Sequence, residues 1–358
     1  MLDLSNYLYN NLGLDLQLIT HNSIIDSSFL KHVKFPLIPI LSGSRSDPRT
    51  RFASAFSNIL TIQRLIQKFQ VSKKNIFVNA TIDTLFEVRL AAKSKIAAGY
   101  NVLGNNGDSA LLDLIDRFAM RTSINKIVAN TALQKKFYLR LGLDEKSIHL
   151  IPHCVDLKRI QDSCNNYQES EKEVGKKTMP TIFYGGRISI EKGIRELLEC
   201  YQAISQEFPV DLVLVGDGPL RDWVLENKKK IEKESSKSKI RFLAGWQPPE
   251  VLLNQMLMSD IVVLPSYHEM NPIILLEAMC LKKAIISTNV GGPNEIIIEG
   301  VNGLLINPFI KNDLKMAMVK LVTDSPLRRR LGLRAFEILK TNYEVSIIAP
   351  KFLNFLES

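Results

Sequence analysis

From residue 181 onward, short apolar runs alternate with amphipathic segments, and no other feature of the chain restricts its fold so tightly. "TIFYGG" reads as a buried strand, "KGIRELLECYQAISQEF" as an amphipathic helix and "DLVLVG" as the next strand. The "DGPLRDWVLENKKK" helix, the strand "IRFLAG", a helix around "EVLLNQMLM" and the strand "DIVVLP" follow. The strand "AIIST", a "GGPNE" loop and the strand "GLLI" complete the series. Short apolar strands separated by helices are parallel βαβ units. With helices on both faces they form a doubly wound α/β sheet.

The first half alternates in the same way. "LDLQLIT", "NIFVNAT", "GYNVLGN", "NKIVAN" and "IHLIPH" read as strands, and "RFASAFSNILTIQRLIQKF" as a long amphipathic helix. "LSNYLYNNL" puts Leu4, Leu8 and Leu12 on one helix face, with Gly13 to end it. A chain of 358 residues suits two domains of roughly 150 residues each. The polar stretch 161–180 has no hydrophobic period and reads as a linker. It separates an N-terminal domain, 1–160, from a C-terminal one, 181–340, and the final helix, 341–358, is expected to return to the first. A doubly wound domain ordinarily opens on a strand and a glycine-rich turn. Here a helix comes first. Either "LDLQLIT" and "NIFVNAT" close ranks in a smaller sheet, or the natural chain begins upstream of Met1.

Composition narrows the setting. An apolar content of 46% is that of a globular protein. Cys154, Cys164, Cys200 and Cys280 have no metal or redox spacing. They read as reduced residues of a cytoplasmic protein. No apolar run approaches the roughly 18 residues of a membrane span, and no signal peptide opens the chain. The net charge of +9 favours anionic partners without choosing among them. "ENKKKIEKESSKSK" reads as a solvated helix and loop. "SRSDPRTRF", with Lys31, His32 and Lys34, offers contact with anionic headgroups at the inner face of a membrane. No module or stacking platform for nucleic acid is visible.

Open parallel sheets bind ligands at the carboxyl ends of their strands, and the unusual residues gather there. After the first C-terminal strand come Gly185, Gly186, Arg187, Glu191, Lys192 and Gly193. Paired glycines let a ligand approach the backbone, while an arginine fork and a lysine point charge suit a diphosphate. "GDGP", containing Gly216, follows the second strand. "PSYHEMNPIILLEAM" follows a third, with Glu269 and Glu277 flanking Asn271, Pro272, Ile273 and Ile274. Gly291 and Gly292 follow a fourth. Pro272 fits just ahead of a helix start. The N–H groups near Ile273 and Ile274 can then face an anion.

Taken in order, "GGRISIEKGI", "LVGDGPL", "PSYHEMNPIILLEAM" and "GGPNEIIIEGVNGLL" resemble a retaining, family-4 type glycosyltransferase of GT-B fold. That resemblance implies two doubly wound domains facing across a cleft. It also implies transfer of a sugar from a nucleotide-sugar donor to a sugar or lipid-linked acceptor of the cell envelope. By the same resemblance Glu269 faces the donor sugar, Glu277 accepts from the ribose hydroxyls, and Arg187 and Lys192 hold the leaving diphosphate. Glu295 is carried over as near the site or as an anchor for its helix. No Asp-x-Asp occurs, so neither metal nor cofactor is expected.

The first half departs from the family pattern. Its glycine loop is absent, Asn105, Asn106 and Asp108 stand where relatives carry a histidine, and His153 and Cys154 replace Asn-Gly. His153 reads as a structural residue of a packed turn. These departures leave two other readings open: a nucleotide-sugar-binding partner subunit without turnover, and a sugar-nucleotide epimerase of the same architecture.

Overall fold

A computed structural model of the chain describes residues 18–21, 37–40, 77–78, 96–98, 124–170, 179–235, 238–310 and 312–357. The chain forms two units, one of Met1–His153 with Ile348–Ser358 and one of Cys154–Ile347. The expected helix at 4–12, the helix at 51–69 and the strand "GYNVLGN" lie outside the described residues.

In the first unit, β1 (Leu18–His21) pairs in parallel with β2 (Leu37–Ile40). A second parallel sheet runs β3 (Phe77–Val78), β4 (Ile96–Ala98), β5 (Ile124–Ala129), β6 (Ile148–Leu150). The expected closing of ranks is not what is seen: "LDLQLIT" pairs with β2, and "NIFVNAT" pairs with β4. Helix α1 (Ala132–Arg140) follows β5 and is capped by Thr131, whose hydroxyl accepts from the Gln134 N–H at 3.1 Å. Its Tyr138 is fully buried with Ile127.

The second unit is one six-stranded parallel sheet. In chain order its elements are helix α2 (Leu157–Ser170), β7 (Thr181–Gly185), α3 (Ile194–Glu207), β8 (Asp211–Gly216), α4 (Arg221–Glu234) and β9 (Ile240–Ala244). They continue as α5 (Pro249–Leu257), β10 (Ile261–Leu264), α6 (Ile273–Cys280), β11 (Ala284–Thr288), α7 (Pro293–Ile296) and β12 (Leu304–Ile306). Helices α8 (Asp313–Thr323), α9 (Ser325–Asn342) and α10 (Val345–Glu357) close the chain. The strands lie in the order β12-β11-β10-β7-β8-β9.

Period-2 alternation divides the strand side chains between two cores. Ile182 and Tyr184 of β7 join Leu197 and Tyr201 of α3 and Leu314 of α8 on one face. Phe183 joins Leu253 of α5, Leu275 and Met279 of α6 and Leu339 of α9 on the other. Both faces are covered, so all five residues of β7 are buried, and the run reads as uniformly apolar.

Two boundaries differ from the sequence reading. The first ten residues of the expected linker are helical, because α2 runs to Ser170. Its Ile160 and Cys164, four apart on one helix face, join the core that holds Leu253 and Met279. The last helix changes unit along its length. From Ile348 it belongs with the first. There Lys126 of β5 donates to the carbonyl of Leu356 at 3.0 Å and to that of Phe355. A cation at the carbonyl end of a helix also offsets its dipole. His149 meets the Phe355 ring edge-on at 5.0 Å.

No helix among the described residues is long and apolar enough to cross a membrane.

Candidate functional site in the second unit

Counted from β7, strands are added to one side as far as β9 and to the other from β10 to β12. The order reverses between β7 and β10, and that is where ligands enter open α/β sheets. The loops leaving β7, β8, β10 and β11 carry the residues singled out from the sequence.

Gly216 joins the first two of these loops. A Cβ on it would lie 1.9 Å from the Gly186 carbonyl oxygen, and its φ of 143° lies outside the range L side chains favour. The contact is sealed by backbone bonds. The Gly186 N–H donates to the Val215 carbonyl at 3.0 Å, and the Ile188 N–H donates to Asp217 at 2.8 Å. The Tyr184 hydroxyl comes up from the core and donates to the Arg187 carbonyl at 2.6 Å. Burial raises the pKa of that phenol far above its ordinary value, so it remains a donor. Arg187 itself is exposed.

Lys192 ends a 3-10 turn, Ile190–Lys192. Gly193 closes the turn at φ 70°, and a Cβ there would stand 2.1 Å from the Pro265 carbonyl oxygen. The turn therefore leans directly on the end of β10, and the Tyr267 N–H donates to the Glu191 carbonyl at 2.9 Å. This seating brings Lys192 Nζ to 2.7 Å from Glu269 Oε2. Both side chains are largely shielded, at 25% and 14% exposure. The sequence reading gave the two residues separate duties, at the diphosphate and at the donor sugar. The structure joins them as an ion pair. Beside them, Ser189 donates to Glu191 at 2.6 Å. That bond lowers the Glu191 pKa, and the charges of Arg187 and Lys192 lower it further.

Pro272 precedes α6 as expected, with Ile273 as the first helical residue. The Ile273 N–H is taken by the Asn271 carbonyl at 3.0 Å and that of Leu275 by Pro272 at 3.0 Å. Of the two N–H groups expected to face an anion, that of Ile273 is thus already engaged. Glu277 follows Ile273 by one turn and so lies on the same helix face, half-buried. The Gly292 N–H donates to the Glu269 carbonyl at 2.9 Å, tying the β11 loop to the site. Glu295 sits on the short α7 that follows, and its carbonyl accepts from the Tyr343 hydroxyl at 2.9 Å. That bond uses the backbone, and leaves the role of the Glu295 side chain a matter for proposal.

Two tyrosines were not singled out. Tyr184 looks like any apolar strand residue. Tyr267 packs on Phe309 with ring centroids 5.7 Å apart. Burial first, and then a hydrogen bond with Glu196, push its pKa up to about 12. A hydroxyl at the very end of a buried strand, or just past it, is the one signal that marks them. In the first unit His153 is buried, as a structural residue should be, and burial holds its imidazole down to a pKa of about 3. Asn105, Asn106 and Asp108, and the basic residues at 31–34 and 44–52, lie outside the described residues. Among the described residues no cluster of metal-ligating side chains occurs.

Parallel α/β units with glycine-bearing loops at a switch point are shared by many doubly wound proteins; the comparisons narrow the fold to GT-B. Residues 166–337, a little under half of the chain, match the family described as glycosyl transferases group 1. The alpha-D-kanosaminyltransferase of Streptomyces kanamyceticus is 24% identical over 233 residues, 64% of this chain and 59% of that protein. The lipopolysaccharide core biosynthesis glycosyltransferase LpsE of Rhizobium meliloti (strain 1021) is 30% identical over 180 residues, 50% of each. The chain thus spans between half and three-fifths of the length of these two relatives. Among solved structures, HepE of Anabaena in complex with UDP and glucose superposes with a TM-score of 0.72. That match covers 92% of this chain and 88% of the other at 17% identity, a likeness of fold.

Proposed function

We propose that the chain is a retaining, family-4 type glycosyltransferase that moves a sugar from a nucleotide-sugar donor to a cell-envelope or polysaccharide acceptor. The observation that carries this reading is the Lys192–Glu269 pair, seated at the switch point beside the joined Gly186 and Gly216 loops. The group 1 match over 166–337, the UDP and glucose held by HepE and the lipopolysaccharide role in the name of LpsE support it.

In this reading the donor diphosphate lies over Gly186, where no side chain obstructs it, and takes charge-assisted bonds from Arg187 and Lys192. As the sugar–phosphate bond breaks, negative charge grows on the departing diphosphate, and the two cations offset it. Glu269, released from Lys192 as the diphosphate engages it, faces the sugar. Glu277, an acceptor-only group with two oxygens, receives the two ribose hydroxyls. Two cations supply the charge stabilisation, so the reading calls for no divalent metal. The protein acts in the cytoplasm, at the inner face of the membrane where a lipid-linked acceptor would be found.

A thermal-shift screen across nucleotide sugars, followed by assay of nucleoside diphosphate release, tests the proposal. A stabilising donor that is turned over in the presence of a chelator supports it. Binding without turnover would indicate a partner subunit. A changed sugar still attached to its nucleotide would indicate an epimerase.

A further inference from the structure

Outside the proposed site, the outward face of α9 gathers basic residues. Arg329, Leu333, Phe336 and Lys340 follow one another at intervals of three and four and so form one stripe along the helix. Lys282, on the turn between α6 and β11, lies alongside. Its Nζ stands 4.7 Å from the centroid of the Phe336 ring, and Lys340 approaches the same ring at 6.0 Å. Arg329 and Arg330 are exposed, and neither has an ion-pair partner among the described residues. Arg334 is neutralised by Glu337, and Arg328 turns inward to the carbonyls of Leu321 and Val322 at 2.6 and 3.0 Å. Lys282 and Lys340 are thus left without a counter-charge at one aromatic ring, Arg329 shares their stripe with a leucine that is 43% exposed, and Arg330 stands about 100° round the helix from Arg329.

This arrangement is built into the fold. Gly332 is buried inside α9, where glycine disfavours a helix by about 1 kcal/mol. A Cβ there would lie 2.1 Å from the Lys282 carbonyl oxygen, so only glycine lets the helix rest on that turn. Lys282 holds φ 56°, the one positive φ among the described non-glycine residues. Here backbone packing holds two lysines over one ring, which favours an anionic partner.

We propose that the outer face of α9, with the Lys282 turn, docks on an anionic lipid bilayer. An anionic surface meets Lys282, Arg329 and Lys340 on one stripe, with Arg330 at its flank. Leu333 and the edge of Phe336 can enter the headgroup boundary, while lysine stems lie along it and keep their ammonium groups at the phosphates. An acidic protein would satisfy the charges and leave Leu333 without a comparable environment. The surface differs from the 31–52 segment named from sequence, and it does not depend on the transferase reading.

The test is co-sedimentation of the full chain with phosphatidylcholine vesicles, with or without phosphatidylglycerol, at low and high salt. Binding should require phosphatidylglycerol and be released by salt. Each basic residue at such a surface strengthens partitioning on the order of fivefold. Arg329→Gln with Arg330→Gln should therefore weaken binding roughly tenfold or more at an unchanged melting midpoint, and Leu333→Ser should weaken it further. The inference is overturned if the wild type ignores anionic vesicles at low salt. It is equally overturned if the double variant binds as the wild type does, or if polyglutamate is bound at this face and vesicles are not.

Discussion

At the scale of single residues, the 2.7 Å contact between Lys192 and Glu269 has two consequences. Lys192→Ala removes a cation from the proposed diphosphate site and leaves a shielded carboxylate without its partner. Turnover should fall by about 10²-fold, and stability should drop by about 1–3 kcal/mol. Arg187→Ala should slow turnover about as much while leaving the melting midpoint unchanged, because Arg187 is exposed. Glu277→Gln should weaken nucleoside diphosphate binding by about 1–3 kcal/mol, read by calorimetric titration. Equal affinity would remove the ribose role. His153 makes a separate prediction. Its native pKa of about 3 lies below the ordinary 6.5, so above pH 6.5 neither state is protonated and nothing is lost. As the pH falls below 6.5 the unfolded chain takes up a proton that the native fold refuses, and stability declines until about pH 3. At pH 5 the loss from this one group should be about 2 kcal/mol. His153→Gln should flatten that part of the stability–pH curve.

At the scale of elements, Gly193 decides where Lys192 points. Gly193→Ala would set a methyl group 2.1 Å from the Pro265 carbonyl oxygen at a φ of 70°, forcing the 3-10 turn away from β10. The expected result is a stability loss of about 1–3 kcal/mol and a fall in turnover close to that of Lys192→Ala, although the lysine is retained. A stable, fully active Gly193→Ala would show that the turn does not position it. The central strands β7 and β10 were legible because burial on both faces leaves a nearly unbroken apolar run, as in "TIFYG" and "IVVL". Helix α2 was not legible, because Ile160 and Cys164 are too few apolar positions to stand out as a period among polar neighbours. β2 was missed for a different reason: Pro36 and Pro39 in "FPLIPI" argue against a strand, yet Pro39 pairs opposite Thr20 in a two-stranded sheet where an edge tolerates it. α8 and α9 carry no motif and abut at the Asp324 cap, so their apolar positions do not read as one pattern. The loops after β7, β8, β10 and β11 were legible from their glycine and proline motifs. The ion pair was beyond their reach, since it joins positions 77 apart through a turn whose direction is set by backbone packing.

At the scale of the whole molecule, a division after His153, not at 161–180, has a proteolytic signature. Because α2 contributes Ile160 and Cys164 to a core of the second unit, a protease-resistant fragment should begin ahead of Ile160. A resistant fragment starting near residue 175 would mean that α2 is readily detached. The central claim is that the second unit holds a nucleotide-sugar donor at the β7–β10 switch point and stabilises its departing diphosphate with Lys192. Its most direct test is the rate of nucleoside diphosphate release from whichever nucleotide sugar stabilises the protein. Wild type and Lys192→Ala should be compared in chelator, well below both melting midpoints. A fall of about 10²-fold is predicted; release at the wild-type rate would contradict the claim.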